Sequence, residues 1–218
     1  MKVLVCSTQN EVLDIIVQLL ISNKHEMRLS EDENPSRIAD MMQNFDYLVL
    51  NHTTTVNRRI ITKLENREKV IECSMAKAPL LQFSGQVVSL GIIPEAGEQP
   101  RKVVNIITDI SRDGYDEIIL DLFNGANFVT QDSSKFDVQV SELLVKPYIL
   151  SLMARKISNL DQVPRTREYD RILELSRSVT NYNVESMRDL IRNSPLTGEI
   201  FSKLEENLKR VWNELSFY

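Results

Sequence analysis

Glycine is scarce in this chain, six residues in 218, and the segment after the first predicted strand, Cys6 to Glu11, has none. Histidine and cysteine number two each. They are scattered too widely to form a zinc-ligand spacing, so no metal is expected. Cys6 and Cys73 each fall near the end of a predicted strand, and buried reduced thiols of a cytosolic protein are the plain reading. If another strand separates theirs, the two backbones lie on the order of 10 Å apart, beyond disulfide reach. The longest apolar run, Val12 to Ile21, is broken by Asp14 and Gln18, which excludes a bilayer span. A massed basic face is also missing. Lys and Arg total 26 against 31 Asp and Glu, for a net charge of −5, so nucleic acid is not an expected partner. The opening Met1-Lys2-Val3-Leu4-Val5 leads straight into a strand without a cleavable signal pattern, and a cytoplasmic location is expected.

What is present is enough apolar sequence to fold. Hydrophobic residues make up 42% and charged residues 26%, outside the range of disordered chains. Val3 to Cys6 reads as a buried parallel strand, and Val12, Ile15, Ile16, Leu19 and Leu20 as one face of a helix. A weak strand at Met27 to Leu29 and a helix through Ile38, Met41 and Met42 follow. Next come a strand at Tyr47 to Leu50, a helix from Val56 to Leu64 and a strand at Val70-Ile71. Strands at Val87 to Leu90 and Val103 to Ile107 come with little helix between them. A helix through Tyr115, Ile118, Ile119 and Leu122 leads to a last strand at Asn127 to Val129. Alternating strands and helices imply a parallel sheet with right-handed crossovers.

After about Ser133 only helices are expected. Phe136 to Ala154 reads as one long helix kinked at Pro147, and Ser158 to Thr166 as a loop. Further helices run through Ile172, Leu175 and Val179, and through Met187, Leu190 and Ile191. Ser194-Pro195 reads as an N-cap and first-turn proline. A final amphipathic helix carries Ile200, Leu204, Leu208, Val211, Trp212 and Leu215. The expectation is an α/β protein: a small Rossmann-like parallel-sheet domain over residues 1–132, then an all-helical dimerisation domain over 133–218. The helical stripes pack either on their own domain or on a second copy, and a homodimer through the C-terminal helices is the preferred reading.

In a dinucleotide-binding domain the first strand enters a glycine-rich turn, and pyrophosphate sits on the following helix N-terminus. Here that turn is Cys6-Ser7-Thr8-Gln9-Asn10-Glu11. Glu11 puts negative charge in the first helical turn, which suits the helix dipole and repels a phosphate. One reading makes Ser7, Thr8 or Asn10 an ordinary helix cap. The other keeps a phosphate on side-chain hydroxyls, with Ser7, Thr8, Gln9, His52 and Thr53 as cofactor-binding candidates. His52 follows a strand at the carboxyl edge of the sheet, where ligands bind in open α/β folds. Either it or a threonine caps the next helix, or it is the titrating residue of a site. His25, between Lys24 and Glu26, reads as solvated. The cluster Glu31-Asp32-Glu33 lies where a ribose-binding carboxylate would stand, and equally reads as a solvated turn.

From Asp46 to Pro195 the order of segments resembles the prephenate dehydrogenases, enzymes of the tyrosine pathway that oxidatively decarboxylate prephenate or arogenate with NAD(P). Asp46 to Leu50 resembles their strand before a cofactor-contacting loop. Val70 to Lys77 resembles their strand ending in a Ser-x-Lys turn, with one residue too many. Gly91 to Glu98 resembles their His-Pro segment, with Ile93 in the histidine's place. Lys135-Phe136-Asp137 resembles their His-Asp pair with Phe136 for histidine, and Lys146-Pro147-Tyr148 a Leu-Pro-His segment with Tyr148 for histidine. The departures fall on chemistry and the matches on architecture. A catalytic histidine takes the substrate hydroxyl proton because its pKa lies near working pH; Ile93 cannot.

The resemblance gives Ser74 and Lys77 a substrate-side or nicotinamide-side role, against turn capping with a solvated lysine. It makes Tyr148 a candidate acid, against a core or interface aromatic. The pair Glu95 and Glu98 could do acid–base work. Catalytic candidates are therefore His52, Ser74, Lys77 and Tyr148. The expected function is that of a prephenate dehydrogenase-like protein with lost or altered catalysis, binding an aromatic metabolite or regulating a partner. No cofactor is assigned to such a protein. The alternative is an active NAD(P)-dependent prephenate or arogenate dehydrogenase with an unconventional cofactor loop, which would use NAD or NADP.

Overall fold

The computed structural model describes residues 1–8, 10–93, 103–157, 167–178 and 183–215. Gln9, Val179, the Glu95/Glu98 pair and the loop expected at Ser158 to Thr166 lie outside the described residues. The chain divides into two compact units, Met1–Asp137 and Val138–Tyr218.

The first unit is built on a seven-stranded sheet: β1 (Lys2–Ser7), β2 (Glu26–Ser30), β3 (Tyr47–Asn51), β4 (Val70–Glu72), β5 (Val88–Gly91), β6 (Val103–Ile107) and β7 (Asn127–Gln131). The spatial order is β2-β1-β3-β4-β5-β6-β7. Strands β1 to β5 are mutually parallel, in registers such as Cys6↔Leu50 and Leu50↔Glu72. The all-parallel expectation fails at one place: β6 runs antiparallel to β5, and β7 is parallel to β6. The reason is the connection. β5 ends at Gly91 and β6 begins at Val103, a connection shorter than the dozen or more residues that a parallel crossover needs.

Helices α1 (Glu11–Ser22), α2 (Pro35–Met42), α3 (Thr54–Lys63) and α4 (Tyr115–Phe123) supply the crossovers. α1 buries Val12, Leu13, Ile15, Ile16, Leu19 and Leu20, the stripe its spacing dictates. These side chains join Val3, Val5, Val49, Ile71 and Val88 in the main core. The sheet places β3 between the strands that lead to Cys6 and Cys73, and both thiols are buried and free. Burial raises the Cys6 pKa to about 12 and also pushes Cys73 up, so neither is a reactive thiolate at neutral pH.

In the second unit, α5 (Ser133–Val140), which begins in the first, continues through a π-helical turn at Ser141–Val145 into α6 (Lys146–Ile157). The irregularity expected at Pro147 therefore lies in the turn before it. Proline cannot donate to that turn, and a wider π-turn gives its ring room. α7 (Arg167–Ser178), α8 (Val184–Asn193) and α9 (Thr197–Leu215) complete the unit. Ser194 does the capping expected from sequence on the turn before α9, its Oγ accepting from Leu196 N at 3.4 Å. Its N–H bonds back to Leu190 O and closes α8, and α9 begins only at Thr197. Among the described residues no helix is long and apolar enough to cross a membrane.

Candidate functional site

The carboxyl ends of β1, β3 and β4 carry the candidates in the first unit, and side-chain hydrogen bonds join them into two networks. The first closes the turn after β1. Asn10, not Ser7 or Thr8, caps α1: its Oδ1 accepts from Leu13 N at 2.9 Å. Asn51, at the end of β3, donates from Nδ2 to Asn10 Oδ1 and to Ser7 Oγ, each at 2.9 Å. The Ser7 hydroxyl faces the carbonyls of Thr8 (2.7 Å) and Asn51 (3.1 Å). Ser7 and Asn51 are buried. A dinucleotide's pyrophosphate needs bare backbone N–H groups at this helix end. Here a carboxamide takes the Leu13 N–H, and a second carboxamide locks the first in place. Among the described residues of this turn, the Leu13 N–H and the Asn10 and Asn51 carboxamides are thus committed to one another and to Ser7, which disfavours a pyrophosphate here.

The second network starts beside His52. Asn57, on α3, accepts from His52 N at 3.2 Å and donates from Nδ2 to Leu50 O and to Glu72 Oε1, each at 3.1 Å. Glu72 Oε1 also accepts the Ser74 N–H. Its Oε2 accepts from Lys77 Nζ at 2.7 Å and from Ser89 Oγ at 3.1 Å. Lys77 Nζ donates further to Leu90 O at 2.8 Å and lies 5.7 Å from the centre of the Phe136 ring. Glu72 and Lys77 are both 0% exposed. The reading of Lys77 as a solvated lysine is therefore overturned: a strand-end carboxylate two residues before Ser74 draws the ammonium inward, where only pairing makes a buried charge tolerable. Asp137 finishes the arrangement, accepting from Lys77 N and Ala78 N at 2.8 and 2.9 Å. Burial raises the Asp137 pKa, opposed by those two N–H donors and by the Lys77 charge.

Phe136, which stands where the resembled family carries histidine, packs against Gly91. A Cβ built on Gly91 would overlap the Phe136 ring. The ring occupies the space that any larger residue at position 91 would need.

His52 is buried, and neither ring nitrogen has a hydrogen-bond partner; Ser74 Oγ has none either. The carboxylate within ion-pair range of His52 is Glu33, Oε1 to Nδ1 at 3.9 Å. Burial lowers the His52 pKa below 6.5, and the Arg59 charge adds to that against the opposing pull of Asp32. His52 caps nothing. Thr53 caps α3, its Oγ1 accepting from Val56 N at 3.4 Å. Beside His52, a cavity of about 690 Å³ is lined by Glu31, Asp32, Glu33, Arg37 and Arg59 among others. The acidic cluster is thus engaged: Asp32 pairs with Arg37 and Glu33 with Arg59, each at 3.6 Å. Tyr148 lies in the second unit and is buried. No cluster of three or more metal-ligating side chains occurs among the described residues.

Residue spacing alone does not point to Asn57, Glu72 or Ser89. Glu72 nevertheless carries a detectable signal: a carboxylate inside the apolar run Val70-Ile71-Glu72-Cys73, in a parallel strand covered on both faces, demands a buried cation.

The first unit is thus a mostly parallel Rossmann-like sheet, and the second is all helical. No family model matches the sequence, and no curated protein matches it. Among solved structures the chain is similar to the prephenate dehydrogenase of Aquifex aeolicus in complex with hydroxyphenyl propionate and NAD+. That match has a TM-score of 0.70 at 12% identity and covers 99% of this chain and 91% of that one. It is also similar to an arogenate dehydrogenase from Synechocystis, with a TM-score of 0.64 at 10% identity over 99% and 92% of the two chains. The fold is that of the prephenate and arogenate dehydrogenases.

Proposed function

We propose that this chain keeps the dehydrogenase architecture without dehydrogenase chemistry, and works as a cytoplasmic binding or regulatory protein for an aromatic metabolite. The observation that carries this reading is the Ser7–Asn51–Asn10 network across the turn where a dinucleotide would be held. The second network supports it. Lys77 commits its ammonium to Glu72, Leu90 O and the Phe136 ring, which leaves it poorly placed to exchange a proton with a substrate. Ile93 and Phe136 stand where the resembled family has histidines. The aromatic ligand class follows the neighbouring prephenate dehydrogenase, whose complex holds hydroxyphenyl propionate. We further propose a homodimer through the C-terminal helices, with α9 as its apolar face.

A second reading is a working NAD(P)-dependent prephenate or arogenate dehydrogenase with an unconventional cofactor loop. It draws on one observation, the cavity beside β2 with the unpartnered His52 next to it. In a dinucleotide fold, a carboxylate after the second strand holds the ribose.

A thermal-shift titration with NAD, NADP, prephenate and tyrosine separates the two. A ligand at a hundredfold excess over its Kd stabilises the folded state by about 2.7 kcal/mol. The expected result is a raised midpoint with prephenate or tyrosine and none with either dinucleotide. A shift with NAD or NADP, together with prephenate-dependent formation of reduced nicotinamide, sinks the first reading and establishes the second.

A further inference from the structure

The reversal between β5 and β6 puts carboxyl strand ends at both edges of the sheet. In open α/β sheets ligands settle outside the carboxyl ends of strands, where the chain changes direction. For β1 to β5 that edge holds the networks described above. Because β6 is antiparallel to β5, its carboxyl end opens at the opposite edge and feeds α4. The β6–α4 connection is tied there to the segment entering β5, by Arg112 N to Val87 O at 2.8 Å and Gly85 N to Ile110 O at 3.0 Å. Gly85 holds a left-handed φ of 73° in this turn, with open space where a Cβ would stand.

A cleft of about 860 Å³ lies at this edge, and six ionisable side chains line it: Lys63, Arg67 and Arg112 against Glu65, Glu68 and Asp113. Among the described residues none of the six forms an ion pair with another, whereas exposed i,i+4 pairs close elsewhere, as between Glu205 and Lys209. Arg67 meets no carboxylate: it donates to the carbonyls of Ile61, Leu64 and Thr62 and to Gln86 Oε1, and lies 5.7 Å from the centre of the Phe83 ring. Arg112 has a buried Nε with no acceptor. The cleft therefore carries groups of both signs, with Arg112 the guanidinium that lacks an acceptor at Nε.

We propose that this cleft binds a small zwitterion of the free amino-acid class, its carboxylate on Arg112 and its ammonium among Asp113, Glu65 and Glu68. A guanidinium matches a carboxylate in a planar, two-pronged hydrogen bond. A ligand of one sign would meet as much repulsion as attraction here; a zwitterion meets neither charge unanswered. The site lies at the opposite sheet edge from the β1–β3–β4 networks and is independent of the function proposed for them.

Thermal-shift titration of the full chain with each protein amino acid in turn tests this, with succinate and putrescine as single-sign controls. At least one amino acid should raise the midpoint while neither control does so. Arg112→Gln should weaken its apparent Kd by about tenfold or more, since one charge-assisted pair is lost. Asp113→Asn, at an exposed position, should weaken it in the same direction. Unchanged midpoints of the unliganded variants establish that both fold. The proposal is overturned if no amino acid shifts the midpoint, if a single-sign control shifts it equally, or if the shift survives Arg112→Gln unchanged.

Discussion

Lys77 Nζ and Glu72 Oε2 stand 2.7 Å apart with neither side chain exposed to solvent. The pair is held on all sides, by Asn57, the Ser74 N–H, Ser89 and Leu90 O. Removing one partner from such a pair strands the other charge, at a cost of about 3–5 kcal/mol. Lys77→Met and Glu72→Gln should each lower stability by that order in denaturant unfolding. The double variant should lose much less than the two losses added together. Additive losses would show that the two groups do not act as a pair.

The contact of Gly91 with Phe136 makes a second case. Gly91→Ala drives a methyl into the ring, closer than any real contact allows. Overpacking of this kind costs about 1–3 kcal/mol. Phe136→Leu in the Gly91→Ala background should recover part of the loss, although Phe136→Leu alone should destabilise. A Gly91→Ala variant with an unchanged unfolding midpoint would contradict the packing.

Much of this fold is legible in the sequence because its signals are local. The stripe Val12-Ile15-Ile16-Leu19-Leu20 and the apolar runs at Val3, Tyr47 and Val70 specify helix and strand by spacing alone. The reversal at β6 is not local; it depends on what lies between β5 and β6, and strand spacing carries no direction. Site residues divide the same way. Ser7, His52, Ser74 and Lys77 stand out as polar residues following strands. Asn51 and Asn57 stand out only through their partners, 41 and 15 residues away in sequence. Lys77 is deceptive because a lysine after a turn is normally solvated, and only the carboxylate at Glu72 reverses that.

His52 ties stability to pH. Its pKa in the fold lies below 6.5, its value when unfolded. The unfolded chain therefore binds a proton that the folded chain refuses, and the His52 contribution is complete above pH 6.5 and lost as pH falls through the folded value. His52→Gln removes this dependence. Unfolding free energies measured from about pH 7.5 down to about pH 5, across a histidine's usual range, should fall less steeply for the variant than for the natural chain. Parallel curves would mean that the buried imidazole titrates as it does in water.

The last helix is the place to test the proposed homodimer. Along α9, Phe201, Leu208, Val211 and Trp212 fall on one side of the helix and are half exposed or more, with Trp212 at 71%. The ion pairs Glu199–Lys203 and Arg210–Glu214 occupy the opposite side, and Glu205–Lys209 runs along one flank. An apolar stripe bordered by paired charges is the pattern of a helix with a partner to cover it. For the proposed homodimer, Leu208→Glu combined with Val211→Glu places two carboxylates in the shared face. Sedimentation equilibrium should then report a monomer where the natural chain is a dimer. Because both positions are exposed within one chain, the secondary structure seen by circular dichroism should stay the same. If the natural chain sediments as a monomer, or the doubly substituted chain still sediments as a dimer, α9 is not the interface.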